Sequence, residues 1–363
     1  MSWFNVDDED DAPYGEYADH EVRTRPNPKA NRPRTKRRPE HADAVTGMIT
    51  AVDRGRYTAL VPATPAVKGG PKAAPERVVV AARARELRKT AIVIGDRVQL
   101  VGDVSGDEGS LSRIVAVEER TTMLRRSADD SDRVERIMVA NAEQMLIVVA
   151  AANPEPRVRL VDRYLVAAYD AGIQPLICLT KIDLADPEPF LENFAALEVP
   201  IFRSAPGAWE DDSPTGVLSQ IRETLAGKTT VFVGHSGVGK STLINALVPE
   251  AERATGHVNE VTGRGRHTSS SSVALRAATP GAAAGESGWV IDTPGVRSFG
   301  LGHVTSDGIL RGFTDLVPLL DACPRGCSHT EEAPDCELDL AIADGRLDAL
   351  GARRVESLRR LLK

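Results

Sequence analysis

The sequence predicts a doubly wound α/β domain carried between a small β-barrel and a helical C-terminal module. Strand and helix patterns alternate from about 137 to 301 around a glycine-rich loop, five short β-branched runs divided by turn residues fill 45–117, and three cysteines and a histidine crowd into 323–336. The boundaries that follow are a charged tail at 1–42, a barrel at 43–120, the α/β domain at 121–300 and the helical module at 301–363.

Composition narrows the class. With 363 residues, 42% of them hydrophobic, the chain has room for two or three domains with real cores. A net charge of −7 gives no support for a nucleic-acid partner from the overall balance, so any such contact must come from local basic patches. No apolar run reaches about 18 residues and the N-terminus is acidic, which supports neither a membrane span nor a secretory leader. A cytoplasmic protein with no membrane partner is expected.

The tail begins with the acidic run Asp7 to Asp11 and continues into the basic, proline-rich stretch Arg32 to Pro39. It lacks the apolar residues that would offset ordering, so disorder is expected. The barrel strands are read at Val45–Val52, Tyr57–Val61, Arg77–Val80, Asp96–Val101 and Gly109–Val117, a spacing that suits an oligonucleotide-binding (OB) fold. Arg83, Arg85, Arg88 and Lys89 give it a basic flank suited to phosphate contact, or simply a solvated face.

In the α/β segment, the continuous apolar run Met145–Ala150 reads as a strand covered on both faces. A helix is expected at 157–171, and strands at Pro175–Leu179, Thr229–Val233 and Gly288–Ile291. Each of these three strands delivers a motif from its carboxyl end. Beyond it, a helix is expected at 305–320 and another at 348–363, burying Leu350, Val355, Leu358 and Leu361 or Leu362. That last helix should expose Arg353, Arg354, Arg359, Arg360 and Lys363.

The loop Gly234-His235-Ser236-Gly237-Val238-Gly239-Lys240-Ser241-Thr242 has the Gly-x4-Gly-Lys-[Ser/Thr] spacing between a strand and a helical pattern. Its backbone N–H groups can converge on a phosphate, Lys240 can reach the β/γ oxygens, and Ser241 can ligate magnesium. Upstream, Thr180-Lys181-Ile182-Asp183 can read guanine. Asp183 accepts from N1–H and the 2-amino group, which adenine does not offer, and the stem of Lys181 covers the ring. Ser204 and Ala205 could place a backbone N–H at guanine O6.

Downstream, Asp292-Thr293-Pro294-Gly295 supplies a carboxylate for magnesium through water, and the Gly295 N–H can meet a γ-phosphate. In small GTPases the phosphate loop comes first and the guanine reader last; here the reader leads. Rotated order is compatible with one closed site if all pieces end neighbouring strands of one sheet, and it makes the Asp292 strand hand the chain to the C-terminal module.

Val296 follows Gly295 where many GTPases carry the glutamine that orients water, so slow, partner-stimulated turnover is expected. His267, in the basic loop Gly263 to Ser272, could orient water or act as general base, or could instead order the loop or meet a partner. One hydroxyl of Thr268, Ser269 or Ser270 should complete the magnesium shell; Thr268 is assigned, and the sequence leaves the choice open. Cys323-x3-Cys327-x-His329-x6-Cys336 supplies the ligand set of a closed structural zinc site, with no open position for catalysis. Cys178, in an apolar strand, reads as a small buried hydrophobe.

Together, the OB-like barrel, the permuted GTPase motifs, the Arg-His-Thr loop and the Cys3His tail resemble the small ribosomal subunit biogenesis GTPases of the RsgA (YjeQ) type, over about 45–363. The resemblance implies a circularly permuted P-loop GTPase preceded by an OB-fold barrel and followed by a helical zinc-binding domain. It implies a GTP hydrolase that binds the small ribosomal subunit and its rRNA late in maturation, with subunit-stimulated hydrolysis triggering release. GTP or GDP with Mg2+ and one Zn2+ would be bound; no DNA partner is expected, and a monomer is.

By residue, the family's guanine reader falls on Thr180, Lys181 and Asp183, its phosphate loop on Gly234 to Thr242, and its zinc ligands on Cys323, Cys327, His329 and Cys336. The chain departs from the family at Thr180, where asparagine is usual, at Ser269 and Ser270 in the usual His-Thr-Thr-Thr run, and in the cysteine spacings. Two other functions compete: an RNA-binding assembly scaffold that holds GTP without coupled turnover, and a permuted GTPase acting on the large subunit.

Overall fold

Alternating burial builds the first five strands: β1 (Val45–Asp53), β2 (Arg56–Val61), β3 (Arg77–Arg83), β4 (Arg97–Gly102) and β5 (Ser112–Val117). The computed structural model describes residues 41, 43–66, 73–127, 135–211, 213–248, 272–277, 287–293, 304 and 306–362. β1 and β2 are joined by Arg54 and Gly55, both at positive φ (42° and 85°), as a two-residue hairpin matched to strand twist requires. The strands close as β1-β2-β3-β5-β4 with β4 returning to β1, and only β3 and β5 run parallel. Inward side chains of Ile49, Tyr57, Ala59, Val79, Val98, Leu100 and Ile114 fill the barrel.

A two-stranded ribbon, β6 (Met123–Ser127) with β7 (Glu135–Ala140), follows the barrel. Asn141 clamps its base: the side-chain amide donates to Gly95 O at 2.9 Å and its oxygen accepts from Thr121 N at 2.9 Å.

The α/β region continues with β8 (Gln144–Ala150), α1 (Val158–Asp170), β9 (Gln174–Thr180), α2 (Glu188–Leu191), β10 (Ile201–Arg203) and α3 (Val217–Leu225). Then come β11 (Thr229–Val233), α4 (Lys240–Leu247), β12 (Val273–Arg276) and β13 (Trp289–Asp292). Strands β10-β9-β8-β11-β13 run parallel in that order, and β12 adds antiparallel to β13. Every residue of β8 is buried, because helices cover both faces. One face packs α1 and the C-terminal helices in a shared core around Tyr164, Phe194, Phe313 and Leu358; the other packs α3 and α4 around Phe232, Ile221 and Leu243.

The sheet does not stop at β12. Ala51 of β1 pairs with Val273, so barrel and α/β strands form one 11-stranded sheet, and residues 43–363 pack as one compact unit. A bulge in β1 between Ile49 and Ala51 bends the strand out of the barrel toward β12.

The C-terminal module holds α5 (Ser306–Leu310), α6 (Val317–Leu320), α7 (Glu337–Ala343) and α8 (Ala349–Leu362). The single helix expected at 305–320 is two short ones, because Pro318 lacks an N–H and is tolerated only in a first helical turn.

The face expected of the last helix is also corrected. Leu350 is 48% exposed, whereas Arg354 and Arg359 are buried at 5% and 7%. Arg354 donates to both carboxylate oxygens of Asp315 (2.7 and 2.5 Å) and to Ala196 O (2.7 Å), with its guanidinium 5.3 Å from the Phe313 ring centre. Arg359 donates to Asp339 at 2.7 Å and to His329 O at 3.1 Å. Arg360 reaches Asp162 of α1 at 3.2 Å and Asn193 O at 2.8 Å. Arg353 remains exposed. Lys363 and the acidic and basic runs of the tail lie outside the described residues.

Candidate functional site

Parallel neighbours end together, and that alignment assembles the site. Ala150 stands opposite Thr180, Val233 opposite Ile147, and Phe232 opposite Asp292, so the carboxyl ends of β8, β9, β11 and β13 lie side by side. At the turn out of β11 a Cβ on Gly234 would lie 2.5 Å from Val148 O, so the loop can pass β8 there only as glycine. Gly239, at φ 95°, is the N-cap of α4, whose first-turn N–H groups at Lys240, Ser241 and Thr242 lie beyond the reach of intrahelical bonding. These are the donors an anion would meet.

Two of the four guanine-reader positions bond directly to that loop. The buried Thr180 hydroxyl donates to Val238 O at 2.6 Å, with Val149 O at 3.2 Å as a second acceptor. Lys181, at φ 57°, sends its ammonium to Gly237 O at 2.8 Å and to Asn153 O. Asp183 lies two residues on in an exposed turn closed by Leu184 N to Lys181 O at 3.0 Å. The reader is tied to the next loop as well: Ile182 N donates to Ser204 O at 3.2 Å and Ser204 N to Leu179 O at 2.9 Å, which places Ser204 and Ala205 beside it.

On the other side of the phosphate loop, the Lys240 ammonium is hydrogen-bonded to the Asp292 carboxylate, both side chains partly buried. Thr293, to which the motif assigns no role of its own, donates to Phe232 O at 2.8 Å and fixes the backbone after Asp292. His235 and Ser236 are exposed on the loop, with His235 Nδ1 2.9 Å from Ser236 O. His267, Thr268 and Gly295 lie outside the described residues. Asn153, which shares the Lys181 ammonium, carries no motif signal because it contributes a backbone carbonyl.

Away from the sheet, the ligand atoms of Cys323, Cys327, His329 and Cys336 all lie within 4.8 Å of one another. The Cys323 and Cys336 sulfurs are 4.0 Å apart, close to the edge of about 3.8 Å that a tetrahedron with zinc–sulfur bonds of about 2.3 Å would have. His329 Nδ1 is buried without a hydrogen-bond partner, an acceptor for which a metal is the natural occupant. Burial pushes the Cys323 thiol up to about 11, helped by the Cys336 and Cys327 sulfurs, and burial holds His329 below its ordinary value, with Arg359 adding to it. This donor set fits one metal ion. Cys178 is wholly buried, its thiol pushed up to about 12, consistent with an inert core residue. No helix among the described residues is long and apolar enough to cross a membrane.

The RsgA GTPase family model matches residues 117–302. The small ribosomal subunit biogenesis GTPase RsgA of Pseudomonas fluorescens (strain SBW25) is 38% identical over 273 residues, covering 75% of this chain and 74% of that one. The protein of the same name from Alcanivorax borkumensis is 39% identical over 264 residues, covering 71% and 69%. Among solved structures, YloQ, a circularly permuted GTPase, superposes with a TM-score of 0.55 at 26% identity over 89% of this chain and 96% of its own. YjeQ from Thermotoga maritima does so with a TM-score of 0.56 at 20% identity over 87% and 98%, a likeness of fold.

Proposed function

Since the chain belongs to the RsgA GTPase family, we propose that it is a GTP hydrolase acting in small ribosomal subunit biogenesis, binding the maturing subunit and leaving it upon hydrolysis. The observation that carries the nucleotide half is the bond from Thr180 to Val238 O, which joins the guanine reader to the phosphate loop although 58 residues separate them. The ribosomal half rests on the names of the curated relatives and on the barrel, whose basic flank suits phosphate contact.

Each residue then has a role. Asp183 and Lys181 select guanine, with Ser204 and Ala205 against its O6; the amides from His235 to Thr242 hold the phosphates. Lys240 stabilises the charge that develops on the β/γ bridge as water attacks the γ-phosphorus and that bond breaks, giving GDP and phosphate. Ser241, Asp292 and Thr268 would hold Mg2+, which when bound neutralises the phosphate oxygens. His267 orients the attacking water or takes its proton. The cluster at 323–336 would hold one structural Zn2+. The protein works as a cytoplasmic monomer, its barrel and zinc module meeting rRNA, and residues 43–120, 121–300 and 301–363 act as barrel, GTPase and zinc domains.

Steady-state GTP turnover, measured alone and with separated small or large subunits, tests this reading. Acceleration by small subunits alone is expected. RNA binding with an unchanged rate would favour a scaffold, and acceleration by large subunits would move the protein to the other particle.

A further inference from the structure

Four residues on four strands stand in register across the joint between barrel and α/β sheet: Ala51 of β1 faces Val273 of β12, Val273 faces Asp292 of β13, and Asp292 faces Phe232 of β11. This row runs from the barrel to the strand that feeds the phosphate loop, and its third member holds the Lys240 ammonium. Such a ladder keeps its register, because a slip of one residue would turn every side chain of the strand to the other face, so a shift in one strand is passed to its neighbours.

Three residues along β12 from Val273, Arg276 makes a second link to the barrel. Its guanidinium pairs with Glu76, just before β3, at 2.6 Å, and lies 5.0 Å from the ring centre of Trp289, its register partner on β13. Arg276 therefore touches the barrel and the Asp292 strand at once. Both members of the ion pair are about a third exposed, so the pair adds little to stability and its removal should leave the fold intact.

We propose that Arg276 and Glu76 couple the barrel to the phosphate site, so that nucleotide at the loop tightens the β1–β12 junction and barrel engagement reciprocally alters the setting of Asp292 and Lys240. This rests on the guanine-nucleotide reading of the site. Arg276 is a positioning residue here, acting through β12 and β13 and touching no part of the nucleotide.

Amide hydrogen exchange of the full chain, with and without a non-hydrolysable GTP analogue, tests the coupling without any ribosome. In the wild type, the analogue should slow exchange in the peptides covering 45–53 and 273–276 by about fivefold or more. Arg276→Glu should reduce that response to below about twofold, and the swap Glu76→Arg with Arg276→Glu, which returns the ion pair without the cation over Trp289, should raise it above that level again, which a merely structural role would not predict. An unresponsive β1 in the wild type, a single reversal that responds fully, or a swap that stays as weak as the reversal would each overturn the proposal. Turnover with small subunits, run in parallel, separates the two readings: no acceleration of the wild type counts against the ribosomal function and leaves the exchange result to judge the coupling.

Discussion

The Thr180 hydroxyl donates to the Val238 carbonyl at 2.6 Å, so the residue that opens the guanine reader also fastens the phosphate loop. Valine at 180 would keep the shape and lose the donor, leaving the buried Val238 carbonyl without it. An unmade bond of this kind costs about 1–3 kcal/mol. Thr180→Val should therefore weaken GTP binding by about fivefold to a hundredfold, while Thr180→Ser, which keeps the hydroxyl, should stay within about threefold. Titration calorimetry with a GTP analogue checks this; equal affinity in Thr180→Val would mean that the bond does not shape the site.

Lys240→Ala should lower GTP turnover by at least about a hundredfold, since it removes the cation proposed to meet the β/γ oxygens. His267→Ala should lower only the stimulated rate, by about a hundredfold, with GTP affinity retained. Phosphate release measured beside analogue binding separates the two effects. Near-normal hydrolysis in the lysine variant would remove the phosphate loop from the chemistry.

Much of this site was legible because its motifs are local: a Gly-x4-Gly-Lys-Ser loop needs only neighbouring residues to declare itself, and the strands before it are marked by unbroken apolar runs. The C-terminal arginines show where that reading fails. Arg354 and Arg359 look like solvent-facing charges on a helical wheel, and nothing near them in sequence reveals that Asp315, Asp339, Ala196 O and His329 O wait in space to receive their donors. The joint at Ala51 and Val273 was hidden for a similar reason, since a four-residue strand carries too little periodicity to signal itself.

Arg354→Ala should destabilise the protein by about 1.5–3 kcal/mol, because a buried guanidinium that satisfies Asp315 and Ala196 O is lost. Arg353→Ala, one residue away and exposed, should change stability by less than about 0.5 kcal/mol. Urea unfolding of the two variants makes the comparison. Equal effects would restore the view of this helix as a free basic face.

Asp162 supplies a pH signature. Burial raises its carboxyl above the ordinary value, and Arg360 offsets only part of that. In the folded state the group thus holds its proton to higher pH than in the unfolded chain, so its contribution to stability is full in acid and is lost as pH rises from about 4 through the raised value. Asp162→Asn cannot ionise and lacks this loss. Its stability relative to the wild type should therefore improve as pH rises from about 4 and level off above the raised value, whatever the offset from altering the Arg360 contact. Parallel stability curves for the two proteins would show that Asp162 titrates alike folded and unfolded.

Metal removal reaches further than the knuckle itself, because Cys336 and Leu338 belong to the same apolar core as Tyr164, Phe313 and Leu358. Chelation should release one zinc per chain and lower the melting temperature of the entire unit. In buffered zinc a thousandfold above its Kd, the bound ion contributes about 4 kcal/mol. Cysteine ligands must lose their protons to bind, and burial keeps the Cys323 thiol protonated up to about 11 without metal, so zinc uptake should release protons and weaken as pH falls. His329→Ala removes the unpartnered imidazole nitrogen and should lower zinc affinity while sparing the strand ends where Thr180, Lys240 and Asp292 meet. Calorimetric scans in graded zinc buffers, with GTP-analogue binding measured in the same samples, give both readouts. Release of no zinc, or a melting temperature indifferent to it, would reduce the cluster to neighbouring thiols.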